Sequence, residues 1–288
     1  MDKSPKKIGW IKAFVALSSA AIPVYCYVQN NLLEANEIHL ESSRVPKGFD
    51  GFKLSHVSDL HNKEFGKNHR KIIAKINEFA PDAIAITGDL IDRRITKLSV
   101  AMDFIKRAVK IAPIYYVTGN HEKRSENYSI LKRELLSAGV NIMDNRYVML
   151  HRNGDVIQLM GLGDFAVSEP FSSDMYGEMV SKIIAPMKRE HKLDFTVLLA
   201  HRPEYFYAYA TENIDVTLTG HSHGGQIRLP GIGGLYAPGQ GFLPKYCGGV
   251  YHKEKSVLIS SRGLGNTSRF PMRINNHPEI LGITFHRK

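Results

Sequence analysis

The chain has 288 residues, enough for one large domain or two small ones, and its 43% hydrophobic content supports a genuine core. Its net charge of +10 suits anionic substrates or surfaces, yet it has no Lys/Arg block with interleaved aromatics and so no dedicated nucleic-acid motif. Only two cysteines occur, Cys26 and Cys247, which excludes a disulfide framework or a thiolate metal site and leaves His, Asp and Asn as metal ligands.

Residues 8–28 are apolar apart from Lys12 and a few small polar residues. As a helix this run would span roughly 30 Å, about one hydrocarbon core. Lys3, Lys6, Lys7 and Lys12 precede it or stand at its start. Glu34, Glu37 and Glu41 follow, with no Lys or Arg until Arg44. The positive-inside rule then puts the N-terminus in the cytoplasm and the rest of the chain outside. Residues 1–28 are therefore expected to be a single-pass anchor in the cell membrane, with an extracytoplasmic domain after it. A signal segment cleaved near Ser19 to Ala21 is the alternative that also exports the domain, and a buried soluble helix is the third. Residues 29–51 read as a linker with a first short strand at 38–41.

From residue 52 the pattern alternates. Strands are expected at 52–58, 83–87 and 114–118, with helices at 68–79, 98–109 and 128–138; Pro81 and Gly139 mark two of the helix stops. Runs at 148–150 and 156–162 flank Asn153-Gly154, a hairpin turn signal. A helix is expected at 180–188 despite Pro186. Further strands are expected at 195–199, 216–219, 256–260 and 280–285. Residues 224–249 are loop-rich in glycine and proline. Two sheets with helices outside would accommodate this count.

Five polar motifs follow apolar runs that read as buried strands. They are Asp59-Leu60-His61, Gly88-Asp89, Gly119-Asn120-His121-Glu122, Ala200-His201 and Gly220-His221-Ser222-His223. Each alone is weak: Gly-Asp is a common turn, and a lone Asp often caps a turn or helix. Together they place candidate ligands at the ends of strands that an α/β sheet gathers along one edge. The candidates are Asp59, His61, Asp89, Asn120, His201, His221 and His223. Seven exceed one tetrahedral ion and suit two ions bridged by one carboxylate. Nitrogen-rich ligation favours Mn, Fe or Zn over Ca or Mg.

The series resembles the signature of the calcineurin-like metallophosphoesterase superfamily, over roughly residues 52–285. Ser58-Asp59-Leu60-His61-Asn62, Leu199-Ala200-His201-Arg202-Pro203-Glu204 and Gly220-His221-Ser222-His223-Gly224-Gly225-Gln226 are similar to its membrane-anchored bacterial members. The resemblance implies an α/β fold, a four-layer α/β/β/α sandwich of two mixed sheets, with residues 52–288 as the catalytic domain. It implies two divalent metal ions, manganese first, held by Asp59, His61 and His223 on one side and Asn120, His201 and His221 on the other, with Asp89 bridging. A water shared by both ions would open a phosphodiester or pyrophosphate bond. His121 is the expected proton donor to the leaving oxygen, with Asp92 orienting and charging it and Arg93 holding a phosphate oxygen. The other readings of Asp92 and Arg93 are a cap and a surface ion pair.

The substrate expected is a phosphoester, lipid-linked or nucleotide-sugar, of the cell envelope. A nucleotide or nucleic-acid phosphodiesterase and a non-catalytic metal-dependent binding protein are the rivals. The 224–249 stretch follows the last motif. It reads either as a flap, with Leu235, Tyr236, Phe242 and Leu243 meeting the leaving group, or as a compact loop whose aromatics pack down. Arg202 stands where close relatives more often carry Gln, a departure that bears on the substrate pocket.

Overall fold

The computed structural model describes residues 21–165, 173–189, 195–266 and 271–288. The expected membrane segment lies outside these up to residue 20; residues 21–31 form a helix, α1. No helix among the described residues is long and apolar enough to cross a membrane.

The first sheet contains β1 (Glu34–Ser42), β2 (Lys53–Val57), β3 (Ala83–Ile86), β4 (Ile114–Tyr116), β5 (Asn141–Ile142) and β16 (Glu279–Arg287), in the order β1-β16-β2-β3-β4-β5. Strands β2 to β5 run parallel, joined by the helices α2 (Arg70–Phe79), α3 (Leu98–Ala108) and α5 (Tyr128–Ser137). The stretch expected to be mainly linker supplies β1. This strand pairs along nine residues with β16 and so belongs to the sheet.

The second sheet has the order β14-β15-β9-β8-β7-β6. Its strands are β6 (Arg146–Arg152), β7 (Asp155–Gly161), β8 (Thr196–Leu199), β9 (Val216–Thr219), β14 (Gly249–Lys253) and β15 (Ser256–Ser260). β7, β8, β9 and β15 are parallel, and antiparallel strands close both edges. The Asn153-Gly154 turn has the positive φ angles, 50° and 85°, that a tight hairpin requires. Two short ribbons, β10 (Arg228–Leu229) with β11 (Gly233–Gly234) and β12 (Tyr236–Ala237) with β13 (Gly241–Phe242), occupy the glycine-rich region.

Period-two alternation sorts the strand side chains between layers. Ala83 and Ala85, Leu281, Ile283 and Phe285 face the second sheet and meet Val197, Leu199, Val216, Leu218 and Ile259. Ile84, Ile86 and Ile280 face outward, under Ile72, Phe104, Ile105 and Leu131. On the far side, α6 (Ser173–Arg189) and α7 (Phe206–Thr211) cover Met160 and Leu198 with Tyr176, Val180, Ile184 and Tyr209. The result is the four-layer α/β/β/α sandwich. Helix α6 is nearly twice the expected length: Met175, Tyr176 and Met179 lead into Val180 at helical spacing, so the period begins ahead of the expected start. The short α7 and α4 (Asn120–Lys123) have no such period at all.

Phe285 is fully buried between the sheets, its ring 5.7 Å from that of Phe52 and 5.6 Å from that of Phe195. Phe285→Ala is expected to cost ~3–5 kcal/mol, read from the midpoint of urea unfolding; a loss below about 1 kcal/mol would show that the layers do not depend on this contact.

Candidate metal centre

The five motifs sit at the carboxyl ends of β2, β3, β4, β8 and β9, where the two sheets' parallel strands open to one side. The chain must turn sharply there to aim side chains back across the edge. Asp59, His61, Asp89, His221 and His223 adopt left-handed backbone, with φ between 46° and 65°. That region is uncommon for residues with a Cβ, and its concentration in five of seven candidate ligands marks the loops as functional. Glycines let the loops close up. A Cβ at Gly119 would collide with the Asp89 carboxylate, and one at Gly220 with Ser58 Oγ and Asp59 Oδ2.

All seven candidate ligands are buried, none more than 8% exposed. They fall into two sets. In the first, His61 Nε2 lies 3.3 Å from His223 Nε2, and Asp59 Oδ1 is 3.8 and 3.7 Å from these nitrogens. In the second, His201 Nε2 lies 3.1 Å from both His221 Nδ1 and Asn120 Oδ1. Asp89 joins them: its Oδ2 is 3.5 Å from His61 Nε2 and 3.3 Å from His201 Nε2, while its Oδ1 accepts the His121 amide at 2.8 Å.

Tautomers follow from the outer contacts. His201 Nδ1 donates to the Thr87 carbonyl at 2.7 Å, so its Nε2 presents a lone pair in the neutral ring; His223 Nδ1 faces the Gly265 carbonyl at 3.3 Å in the same way. With every ring neutral, lone pairs converge on lone pairs, and without a metal only a proton taken up at His201 Nε2 relieves them. A divalent cation in each set resolves that, so the donors fit two metal ions.

Charge behaves accordingly. Burial pushes the Asp59 carboxyl up to about 6, with Asp89 adding to it. Burial also opposes charge on Asp89, but His201, His121 and His61 outweigh it and hold Asp89 well below the usual carboxylate range. His201 is driven up to about 10: burial disfavours its cation, and Asp89 and Asp59 overcome that. Burial keeps His61 and His221 well below the usual imidazole range and His223 at about 3. One proton held between Asp89 and His201 stands in for cations, and the other rings are neutral.

A family model for the calcineurin-like phosphoesterases matches residues 52–225. The chain belongs to that family. It is 28% identical over 263 residues to an uncharacterized metallophosphoesterase of Bacillus subtilis (strain 168), YkuE, covering 90% of this chain and 87% of that one. It is 27% identical to the phosphodiesterase YaeI of Escherichia coli (strain K12), covering 80% of each. The protein TT1561 of Thermus thermophilus shares the fold at a TM-score of 0.50 and 14% identity, over 74% of this chain and 90% of that one. The protein is a metal-dependent phosphoester hydrolase with the metallophosphoesterase fold.

Around this family's metal centre lie residues that motif reading passes over. Glu122 is fully buried, and its carboxylate accepts the amides of Asp89 at 2.8 Å, Gly119 at 2.9 Å and Ile91 at 3.1 Å. It thereby ties the Asp89 and Asn120 loops together. Burial and Asp89 push its carboxyl up to about 8 against those three donors. Glu204, its side chain 9% exposed, sets Oε1 3.8 Å from His221 Nε2, on the side of the ring away from His201. Arg202 is held by Asp164: its Nε donates to the carboxylate at 2.6 Å and both residues are buried. Only the Gly119 contact is local, at the N-cap-to-N3 spacing of α4; the contacts of Glu122 to Asp89 and Ile91 and of Arg202 to Asp164 span 31 to 38 residues and carry no spacing signal.

His121 sits on α4 with its ring 4.5 Å from that of His61. The Arg93 amide donates to His121 Nδ1 at 3.1 Å, which leaves Nε2 to carry the proton. The Asp92 carboxylate is 3.9 Å from that Nδ1, beyond hydrogen-bond reach, and its Oδ1 accepts the Arg94 amide at 2.8 Å, as a turn cap does. Asp92, His61 and His121 also form a third set of converging donors, sharing His61 with the first. The Arg93 side chain is half-buried and close enough to Arg124 to help lower the latter, after burial.

Replacing Glu122 by Gln turns an amide NH2 toward the Ile91 N–H and leaves a buried donor unsatisfied. A loss of ~1–3 kcal/mol is expected, measured by urea unfolding of the metal-free protein; unchanged stability would mean that Glu122 does not hold the two loops. Metal binding must also displace the His201 proton, because only the free ring ligates. Divalent-ion affinity is therefore expected to rise with pH through neutrality, since His201 is protonated below about 10. Calorimetric titration in buffers of unlike ionisation enthalpy reads the released proton directly; affinity independent of pH would contradict this.

Proposed function

We propose that the protein hydrolyses phosphodiester or pyrophosphate bonds of envelope or lipid-linked molecules at a two-metal centre. Asp59, His61 and His223 would hold the first ion, Asn120, His201 and His221 the second, and Asp89 would serve both, with manganese the metal and iron or zinc its rivals. The observation that carries this reading is the position of Asp89 Oδ2, within 3.5 Å of a ring nitrogen from each set. Bound divalent ions would neutralise charge developing on the phosphoryl oxygens and acidify water.

The chain's own residues supply the rest. His121 carries its proton on Nε2, because the Arg93 amide occupies Nδ1. In this reading it gives that proton to the leaving oxygen as general acid. Its backbone amide also fixes Asp89 Oδ1, so one residue positions both the bridge and the acid. Asp92 shapes the turn that presents the Arg93 amide, and the Arg93 guanidinium neutralises a substrate oxygen, with Arg124 beside it.

The envelope part of the reading rests on the apolar run at residues 8–28 with its leading lysines, which would hold an outward-facing domain at the cell membrane. A zebrafish relative, 26% identical over 86% of this chain and 56% of that one, bears the name transmembrane protein with metallophosphoesterase domain.

Bis-p-nitrophenyl phosphate with added manganese is the direct substrate test. Turnover is expected to vanish on chelation and return with the metal. His121→Ala is expected to lower kcat by ~100- to 10,000-fold with little change in metal content. Asp89→Asn is expected to lose activity and bound metal together. Inactivity with every divalent ion would sink the phosphoesterase reading; full activity of both variants would sink the assignment of roles.

A further inference from the structure

Most of the exposed large hydrophobic residues of the described chain lie in two places. One is the neighbourhood of α1, with Ile22, Val24, Tyr25, Tyr27 and Leu32; the other is the pair of short ribbons, with Leu229, Ile232, Tyr236, Phe242 and Leu243. Phe242 is 77% exposed and Ile232 65%. Tyr236 and Phe242 do not pack down; their rings meet each other, 5.5 Å apart, at the surface. No Asp, Glu, Lys or Arg occurs from residue 21 to 33 or from 229 to 243. Water-facing loops seldom combine bulky apolar side chains with no charge over such lengths, and a patch of this kind marks an interaction surface.

The two places form one face. Tyr25 Oη donates to Asn275 Oδ1 at 2.7 Å, and Asn275 Nδ2 donates to the Arg228 carbonyl at 3.3 Å, where the first ribbon begins. The Leu235 amide, at the start of the second ribbon, donates to the Ile227 carbonyl at 2.8 Å, next to the start of the first, which ties the two ribbons together. The face also abuts the metal centre. The Asn276 amide donates to Gln29 of α1 at 3.3 Å, and Asn276 Nδ2 donates to the carbonyl of His223 at 2.7 Å. One residue, Asn276, thus lies between a helix on the apolar face and a candidate ligand of the first ion.

We propose that α1 and the two ribbons dock together on a lipid bilayer, with the ribbon side chains at headgroup depth and the first-ion side of the centre at the membrane surface. This rests on the membrane reading of the N-terminal segment. The occupant is lipid because the face continues an apolar run of bilayer length headed by lysines, and the Tyr25–Asn275 contact keeps the ribbons beside that run. Tyrosine and phenylalanine at its edge, with exposed Lys245 just beyond, match an interfacial rim. Docking here gives the substrate class a route: a phosphoester whose tail stays in the bilayer reaches the centre without leaving it.

The test uses the full chain in phosphatidylcholine–phosphatidylglycerol vesicles. Trp10, the one native tryptophan, is replaced by Phe, and single reporters are placed by Phe242→Trp, by Ile232→Trp and, on the opposite outer layer, by Leu136→Trp. Brominated lipids are expected to quench the first two reporters and to leave the third unchanged. Absence of quenching at both ribbon positions overturns the docking. So does emission there that shifts only as protein density in the vesicle rises, which would assign the face to a second copy of the chain. Hydrolysis of bis-p-nitrophenyl phosphate, followed in the same samples, separates that failure from a failure of the phosphoesterase reading, because quenching needs no turnover.

Discussion

Everything at this site depends on one buried carboxylate. Asp89 is taken out of water, where its charge would ordinarily be suppressed, and it stays ionised because histidines surround it. One of its oxygens is fixed by the His121 amide and the other lies between two imidazole sets. Two divalent ions held in the proposed way would supply the cationic partners that such a buried charge needs. Glu122 then holds the Asp89 loop against the Asn120 loop through three backbone amides, so Asp89, Asn120 and His121 move as one piece.

The sandwich makes that convergence possible in conformational terms. Five candidate ligands hold left-handed backbone that each residue alone would avoid. The strands that deliver them are pinned by the apolar layer between the sheets and by helices outside it. Strain at the strand ends is thus opposed by packing a few residues away.

The N-terminal helix changes what the centre can be reached from. It sits against the segment that carries Asn275 and Asn276, and that segment sits against His223. The glycine-rich stretch is neither a long free flap nor a compact loop with its aromatics packed inward. It is two short ribbons with exposed aromatic rings, made possible by glycines where backbones cross closely, as Gly225 does against Gly234.

The motif series by itself determined the candidate ligand types, their order and their place at strand ends, because strand period and Asp, Asn and His placement are local properties. It also determined the α/β class and most of the long elements, since a buried strand or an amphipathic helix repeats its signal every few residues. Tertiary structure alone decided the contacts that span the chain. The β1–β16 pairing joins residues more than 240 apart, and neither strand names its partner. The orienting contact to His121 comes from the Arg93 backbone, which no side-chain pattern encodes, whereas Asp92 stands at 3.9 Å and caps its own turn. Glu122, Glu204 and the Arg202–Asp164 pair are ordinary charged residues in sequence. They become part of the centre only when folding removes them from water and leaves each one acceptors or donors from another strand.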